Sequence, residues 1–459
     1  MRPFKSTLPI ADALTILNDA TTPILRTERV PLADAHDRVL AEAIVATRDV
    51  PLFDRSAMDG YAVVAADTQH ASPAAPARLR LLDRLYAGDN SLISVTPGTC
   101  VEIATGAPLP AGADAVVMVE DTRASSVSAE HTSANGQITA IDILAPVRTG
   151  QHLVRRASDI RQGDDVIAAG ALLNASRLGA LAALGLADVE VYAKPIVAIL
   201  PTGNELVDPG RPLPPGHVYE VNRFTLAALA QRHGGLVRIF PPAPDTLDEL
   251  RHAFDTALAS RPRNNATNAA TAAPGAIASA QPIAAATPIP ANDVNAGAAA
   301  SDDVGVDLLV LSGGSSVGER DLVLDVLRER GEVLFHGLSV KPGKPTGLAR
   351  IGRTLVLAMP GNPTSCLSNA HILLIPLLRR LARLPAHRPQ TVQLPLAARV
   401  SSPAGKHQFM PVRVDDGRAY PTFKGSGEIT SLSRADGYIE IPDTVEQVDE
   451  GTVVTVVMY

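Results

Sequence analysis

The sequence predicts an α/β protein with additional β-rich parts, and three observations carry that prediction. Across 188–386, short apolar strand segments alternate with segments of helical period, the pattern of a parallel sheet covered by helices on both faces. Across 51–144, short apolar runs such as Tyr61–Val64 and Ala115–Val119 are separated by Pro and Gly clusters, which reads as strands and tight turns. From 387 to 459 the short-strand pattern returns, as expected of a small β-barrel or sandwich.

The elements follow in order. Ile10, Ala13, Leu14 and Leu17 recur at helical spacing and predict an opening helix. After the β-rich module come Gly150, Gly163 and Gly170, then a helix around Ser176–Leu184. In the α/β part, strands are expected at Ile196–Leu200, Leu236–Phe240, Asp307–Ser312 and Thr354–Met359. Helices are expected at Tyr219–His233 (ending at Gly234-Gly235), Thr246–Ser260 and Asp321–Arg330, with a long one from Pro363. Residues 261–304 are dominated by Ala with Asn, Pro, Thr and Ser. They carry too few large apolar side chains to offset the entropy of ordering, so they read as a disordered insertion.

Composition narrows the function. The 459 residues allow about three compact units at ~150 residues each. With 46% apolar residues but only 3% aromatic and no Trp, the cores must be built from Ala, Val, Leu and Ile. A formal charge of -7 argues against a general nucleic-acid or membrane-surface binder. Cys100 and Cys366 form no CxxC pair and read as reduced, buried thiols rather than a zinc site or disulfide. No stretch reaches the ~20 apolar residues of a membrane span, and the first twenty residues do not form a signal peptide, so a cytoplasmic protein is expected.

Three Gly-rich turns each follow an expected strand: Pro201–Glu205, Ser312–Asp321 and Pro360–Ser365. In open parallel sheets, ligands bind beyond the carboxyl ends of the strands. The second turn, SGGSSVGERD, suits a phosphate: its glycines let backbone N–H groups converge, and its serines offer hydroxyls. It matches neither GxxxxGK[ST] nor GxGxxG, and a turn that only caps a helix remains an alternative. Lys341-Pro342-Gly343-Lys344-Pro345 holds two ammonium groups in a stiffened stretch, suited to a compact oxyanion or to a solvated turn. Asp59, Asp159, Glu205 and Asp321 supply carboxylates, and carboxylates beside phosphate loops point to Mg2+. Asp321 would otherwise be a helix N-cap, and Arg155-Arg156 a solvated basic pair. The residues alone reach as far as a metal-dependent enzyme acting on a phosphorylated small molecule.

At these loops the chain resembles the molybdopterin molybdotransferases, a family that includes the E domain of gephyrin-like proteins. The matching stretches are Phe53–Ala62, Ile103–Pro110, Pro201–Leu206, Ser312–Asp321, Lys341–Pro345 and Pro360–Ser365. The 261–304 insertion and Met359 before Pro360 depart from the family pattern, and neither removes a proposed group. The resemblance implies an elongated subunit with a linking domain (1–50 and 145–187), a β-rich module (51–144), a molybdopterin-binding α/β domain (188–386, interrupted by 261–304) and a C-terminal β-barrel (387–459). It implies a homodimer with a cleft between one subunit's α/β domain and the other's β module. It implies transfer of molybdenum from molybdate to adenylylated molybdopterin, with Mg2+-dependent release of AMP.

By the same resemblance, Asp59, Thr105, Asp159, Glu205 and Asp321 are the catalytic set, with Asp59, Glu205 and Asp321 on the metal. Ser312, Gly313, Gly314, Ser316, Gly361 and Asn362 would cradle the pterin's phosphate. Lys341, Lys344, Ser365, Arg413 and Ser426 would hold molybdate. A molybdopterin adenylyltransferase is a possible supplier of the substrate. That adenylylation reaction, a gephyrin-type scaffold and a competence-and-damage-type pyrophosphatase are the rival readings. The first and last of these would lack the Met58-Asp59-Gly60-Tyr61 module that is present here.

Overall fold

A computed structural model describes residues 7–89, 92–124, 140–259, 305–314 and 322–459. The expected insertion at 261–304, together with Ser316 and Asp321, lies outside the described residues. The chain divides into two units, Thr27–Val191 and Met1–Arg26 with Tyr192–Tyr459. The first helix, α1 (Ile10–Ala20), belongs to the second of these.

In the Thr27–Val191 unit, β1 (Gly60–Val63), β2 (Ala77–Leu85), β3 (Thr99–Ile103), β4 (Ala115–Met118), β5 (Thr122–Ala124) and β6 (Ala140–Ile143) form one sheet. Their order is β4-β1-β3-β2-β6-β5. Successive side chains on a strand point to opposite faces, and both faces are covered here. Tyr61, Val63, Cys100, Ala115 and Val117 enter one core, and Ala62, Val101, Ile103 and Val116 the other. A further core around Leu40, Leu173, Leu181 and Val191 takes in α2 (Ala175–Ala183), whose N-cap Asn174 accepts a hydrogen bond from the Arg177 N–H at 3.0 Å.

The other unit is built on a second six-stranded sheet, formed by β7 (Ile196–Pro201), β8 (Leu236–Ile239), β9 (Leu308–Ser312), β10 (Glu332–His336), β12 (Gly347–Ile351) and β13 (Thr354–Met359). The order is β8-β7-β9-β13-β12-β10. The four strands read from the sequence are parallel, as expected. β12 runs antiparallel to both β13 and β10, so the sheet is mixed rather than parallel throughout. Val197, Ile199, Leu308, Val310, Leu355 and Leu357 point into one core, and Ala198, Leu200, Leu309, Leu311, Val356 and Ala358 into the other. The first core is closed by α3 (Asn222–Arg232), by the long helix from Pro363 and by α1, through Ala13 and Leu17. Helix α1, expected with the linking region, thus packs on the α/β sheet. The second core is closed by α4 (Leu247–Leu258) and α5 (Leu322–Arg330).

The long helix is interrupted. It runs as α6 (Pro363–Asn369), a π-helical turn (Ala370–Leu374) and α7 (Ile375–Leu381). Pro376 explains the wider turn: it has no N–H to give the preceding turn, and its ring crowds the carbonyl four residues back. The C-terminal region pairs β11 (Val340–Lys341), β14 (Thr391–Pro395), β15 (His407–Asp415), β17 (Gly437–Ile441) and β18 (Val453–Met458) in the order β11-β15-β17-β18-β14, with β16 (Arg418–Pro421) also on β15. The expected barrel is bridged on its far side: the Ala397 N–H donates to the Ala419 carbonyl at 2.8 Å, and Leu396, just after β14, pairs with Ala419 on β16.

Candidate functional site

The parallel order β8-β7-β9-β13 sets the carboxyl ends of four strands side by side, so the loops that leave them must meet. The Thr202 N–H donates to the Ser312 carbonyl at 2.9 Å, Gly313 N–H to Met359 carbonyl at 3.2 Å, and Gly203 N–H to Ala243 carbonyl at 3.0 Å. Two glycines are required by this closeness. A Cβ on Gly313 (φ 95°) would lie 2.2 Å from the Thr202 carbonyl oxygen, and one on Gly314 (φ 67°) would lie 2.5 Å from Thr202 Oγ1.

The loops enclose a cavity of about 790 Å³, within the range of small-molecule sites. Glu205, Gly313, Gly314, Lys344, Gly361, Asn362 and Ser365 line it, so members of the first loop, the Gly-rich loop, the lysine turn and the third loop come together as expected. Ser312, at the end of β9, is buried just before the lining glycines. The C-terminal region reaches the same cavity: Asn362 Nδ2 donates to Ser426 Oγ at 3.0 Å, the Thr364 N–H donates to the Ser426 carbonyl at 3.0 Å, and Gly427 lines the wall.

Three of the expected oxyanion groups, Lys341, Arg413 and Ser426, do not themselves line the cavity, although Ser426 is bonded to Asn362, which does. Lys341 sits on β11 opposite Gln408. Arg413 donates from Nη1 to Asp415 Oδ2 at 2.6 Å and lies over the Tyr420 ring, 5.1 Å from its centroid.

Several residues here carry no sequence motif. Asn369 is fully buried, and its Nδ2 donates to the Gly343 carbonyl (2.8 Å) and Thr346 Oγ1 (2.6 Å), which clamps the turn that presents Lys344. Asn222 Nδ2 donates to the Gly361 carbonyl at 2.7 Å, and its buried Oδ1 is unpartnered. Glu220, 1% exposed, pairs with Arg223 Nε at 3.2 Å, and burial raises its carboxyl's pKa. Asp245 follows β8. Its N–H donates to Asn204 Oδ1 at 3.0 Å, and burial, reinforced by the charge of Glu205, raises its carboxyl's pKa. The one available signal for Asp245 was its position after a parallel strand.

In the Thr27–Val191 unit, Asp59 and Thr105, each expected at the site, are hydrogen-bonded to one another. Asp59 Oδ1 accepts from the Thr105 N–H at 2.7 Å and from Thr105 Oγ1 at 2.9 Å, which lowers the carboxyl's pKa. Gly60 allows this arrangement, because a Cβ there would strike the Val117 carbonyl oxygen at 1.9 Å. Asp59 lines a smaller hollow of about 250 Å³ with Arg84, Tyr86, Glu102 and Val119. Asp159 is exposed on another loop and does not line that hollow. Arg155 and Arg156 are ion-paired rather than merely solvated, to Asp54 and Asp49, each at 2.6 Å. Among the described residues, no group of three or more His, Cys, Asp or Glu could hold a metal ion by itself. Asp321 lies outside them.

Comparison with known proteins agrees with this geometry. Residues 8–185 match the MoeA N-terminal region (domain I and II), residues 273–380 a probable molybdopterin binding domain, and residues 393–459 the MoeA C-terminal region (domain IV). A protein of Mycobacterium tuberculosis named molybdopterin molybdenumtransferase 2 is 32% identical over 92% of this chain and 93% of its own length. A molybdopterin molybdenumtransferase of Synechococcus elongatus is 31% identical, covering 94% of each chain. The crystal structure of a molybdopterin biosynthesis MoeA protein from Pyrococcus horikoshii superimposes with a TM-score of 0.74 at 33% identity, over 99% of both chains. A chain that matches these relatives along nearly its whole length, and whose strand-end loops form one cavity, belongs to the MoeA family of molybdopterin molybdenumtransferases.

Proposed function

We propose that this chain is a molybdopterin molybdotransferase of molybdenum cofactor biosynthesis: it inserts molybdenum from molybdate into adenylylated molybdopterin and releases AMP. The observation that carries the reading is the single cavity where Glu205, the glycine turn, Lys344, Ser365 and the Asn362–Ser426 pair converge. A diphosphate needs backbone and cationic donors, and a tetrahedral oxyanion needs a lysine with short hydroxyl donors. Both sets lie along this one wall.

In the reaction, water attacks a phosphorus of the anhydride and AMP leaves with the bridging oxygen. The two dithiolene thiols bond to molybdenum, and their two protons carry one molybdate oxygen away as water. The Gly314 backbone N–H orients the terminal phosphate, and Gly313, its own N–H held by the Met359 carbonyl, gives the turn its shape. Lys344 and Ser365, with Ser426 beside them, hold molybdate against the pterin. Lys341 and Arg413 belong to the proposed oxyanion set only as supports outside the lining.

Mg2+ fits the residues present. Glu205 and Asp245 are neighbouring carboxylates whose charges oppose each other, an all-oxygen pair of the type a hard cation takes. Bound there, Mg2+ would neutralise charge on the diphosphate. Asp321 is proposed to complete that set, and Ser316 the phosphate cradle. Asp59 with Thr105, and Asp159, are proposed to act on the substrate across a homodimer, in a cytoplasmic enzyme. A molybdopterin adenylyltransferase is the natural supplier of such a substrate.

The test supplies purified protein with adenylylated molybdopterin, with and without molybdate and Mg2+, and measures AMP. Release that requires both is expected. Equal release without either refutes the proposal.

A further inference from the structure

A second cavity, of about 510 Å³, lies in the same unit between α1, the interrupted helix from Pro363 and the C-terminal sheet, and it shares no lining residue with the first. Ile10, Leu14 and Asn18 form one wall, His371 and Arg380 another, and Phe409 with Tyr438 the third.

Its walls concentrate rings in a chain that has few. The whole sequence holds 8 Phe, 7 Tyr and no Trp. Around this cavity, His371 lies 4.6 Å from the Tyr459 ring and 6.4 Å from Tyr438, and Phe409 lies 5.5 Å from Tyr438, centroid to centroid. These are the spacings of offset and tilted ring contacts, and such walls accept a further flat ring. His371 occupies the π-helical turn, a local widening that is frequent at functional sites. Burial pushes its imidazole pKa down to about 4, so at neutral pH the ring is uncharged, with one nitrogen to donate and one to accept.

The rim is cationic although the chain as a whole carries a formal charge of -7. Arg379 and Arg380 both border the cavity. The Thr21 carbonyl accepts from Arg380 Nε at 3.1 Å, which holds the guanidinium at the edge. The acid in the lining, Glu440, is already engaged by His407 Nε2 at 3.1 Å. Flat apolar walls, a neutral imidazole within, and an amide (Asn18) and guanidinium groups at the mouth together select a ligand. It must stack, offer ring nitrogens to hydrogen-bond, and end in an anion that a guanidinium fork can grip.

We propose that this cavity is a second ligand site, separate from the reaction cavity, which takes a planar nitrogen heteroaromatic ring bearing a phosphate. A nucleoside monophosphate and a phosphorylated pterin share that chemistry, and the experiment separates them.

Because the chain has no Trp, Asn18→Trp on the exposed face of α1 places a unique fluorophore at the mouth. Its emission is titrated with AMP and, separately, with hydroxymethylpterin phosphate. Saturable quenching by one of them is expected and names the source. The half-saturating concentration should rise at least ~10-fold in Arg380→Glu on the same background and stay unchanged in Lys344→Ala, which disables the first cavity. Failure of both ligands to quench, indifference to Arg380→Glu, or loss of quenching in Lys344→Ala overturns the proposal. Equilibrium dialysis with Asn18 intact guards against the tryptophan filling the space itself. Binding that survives Lys344→Ala and is lost on adding Arg380→Glu supports the site, and binding insensitive to both rules it out.

Discussion

Asp59 and Asp245 are both acids at the ends of β-structure, yet their surroundings push them in opposite directions. Asp59 is exposed and receives an N–H and a hydroxyl from Thr105, so its charged form is stabilised. Asp245 is partly buried beside another carboxylate and receives one weak N–H contact, from Asn204 at 3.4 Å, so its charged form is penalised. The first is satisfied as it stands and is ready to accept a hydrogen bond or orient water. The second carries an unmet need for positive charge. Hydrogen bonding and desolvation are thus the two levers that divide the work of acids in this protein.

The sharpest way to break that division of roles is to remove one partner from each region. Asp59→Asn and Lys344→Ala should each lower AMP release by roughly 10²–10³-fold, the size expected when a positioned charge is lost from a reaction site. If the two regions meet across a homodimer, mixing the dead variants under subunit exchange should restore roughly a quarter of wild-type activity. Half the dimers are then mixed, and each mixed dimer keeps one intact site of two. No recovery despite verified exchange would place both groups in one subunit's site or in separate ones.

Next in size is the backbone that brings the strand ends together. Gly313→Ala sets a methyl group 2.2 Å from the Thr202 carbonyl oxygen and strains a residue at φ 95°. A stability loss of about 2–4 kcal/mol is expected in urea unfolding. Gly352→Ala is the control: it also has positive φ, but nothing would lie within 4 Å of an added Cβ, so only about 1 kcal/mol of stability should be lost to backbone strain. Equal effects would mean that close packing between the loops is not what demands glycine.

The same glycines show what a sequence can reveal. Gly313, Gly314 and Gly361 were legible because a strand followed by a glycine cluster is a local pattern. Three of the sheet's parallel strands, β7, β9 and β13, were legible because they are buried on both faces and read as nearly unbroken apolar runs, whereas the edge strand β8 is half exposed and carries Arg238. Asn369 was not legible: it looks like any polar residue within a helix, and its role depends on a turn 26 positions away in sequence. Helix α1 showed an apolar stripe, which says that one face is buried without saying against what. Tyr219 looked helical, but Val218–Tyr219 pairs with Leu206–Val207 and the helix starts at Asn222. Arg413 suggested an anion site, yet Asp415, two residues on and on the same face of the strand, takes its guanidinium.

Acid should act on the aromatic side of the molecule before it acts on the Asp59 region. Burial holds His233 and His371 at about 4, below the ordinary histidine value, with His387 and Arg379 or Arg232 adding like charge. The unfolded chain then binds more protons than the folded one between about pH 6.5 and 4, so stability is full above that window and falls through it. A loss of roughly 2 kcal/mol per imidazole by pH 5 is expected in urea titrations, and His371→Gln should about halve the total. The Asp59 contribution has the same sign, but it persists until pH falls through the lowered carboxyl pKa, below the ordinary carboxylate range. A stability curve that is flat from pH 7 to 5 would show that these imidazoles already find room to charge.

The smallest effect bears most directly on the difference between Asp59 and Asp245. Asp245→Asn keeps the shape and the contact with Asn204 but removes a charge that burial and Glu205 both oppose. A raised carboxyl pKa means that the group detracts from folding once pH exceeds its unfolded value, so removing it should leave stability unchanged or raise it by up to about 1 kcal/mol in metal-free buffer near pH 7. If Glu205 and Asp245 share a cation during the reaction, the same substitution should raise the Mg2+ concentration for half-maximal AMP release by about 10-fold, while saturating Mg2+ recovers part of the rate. The two readouts move in opposite directions only if the strain between the carboxylates is kept for a cation to relieve. A variant that loses stability together with Mg2+ response would instead make Asp245 an ordinary structural cap on the loop after β8.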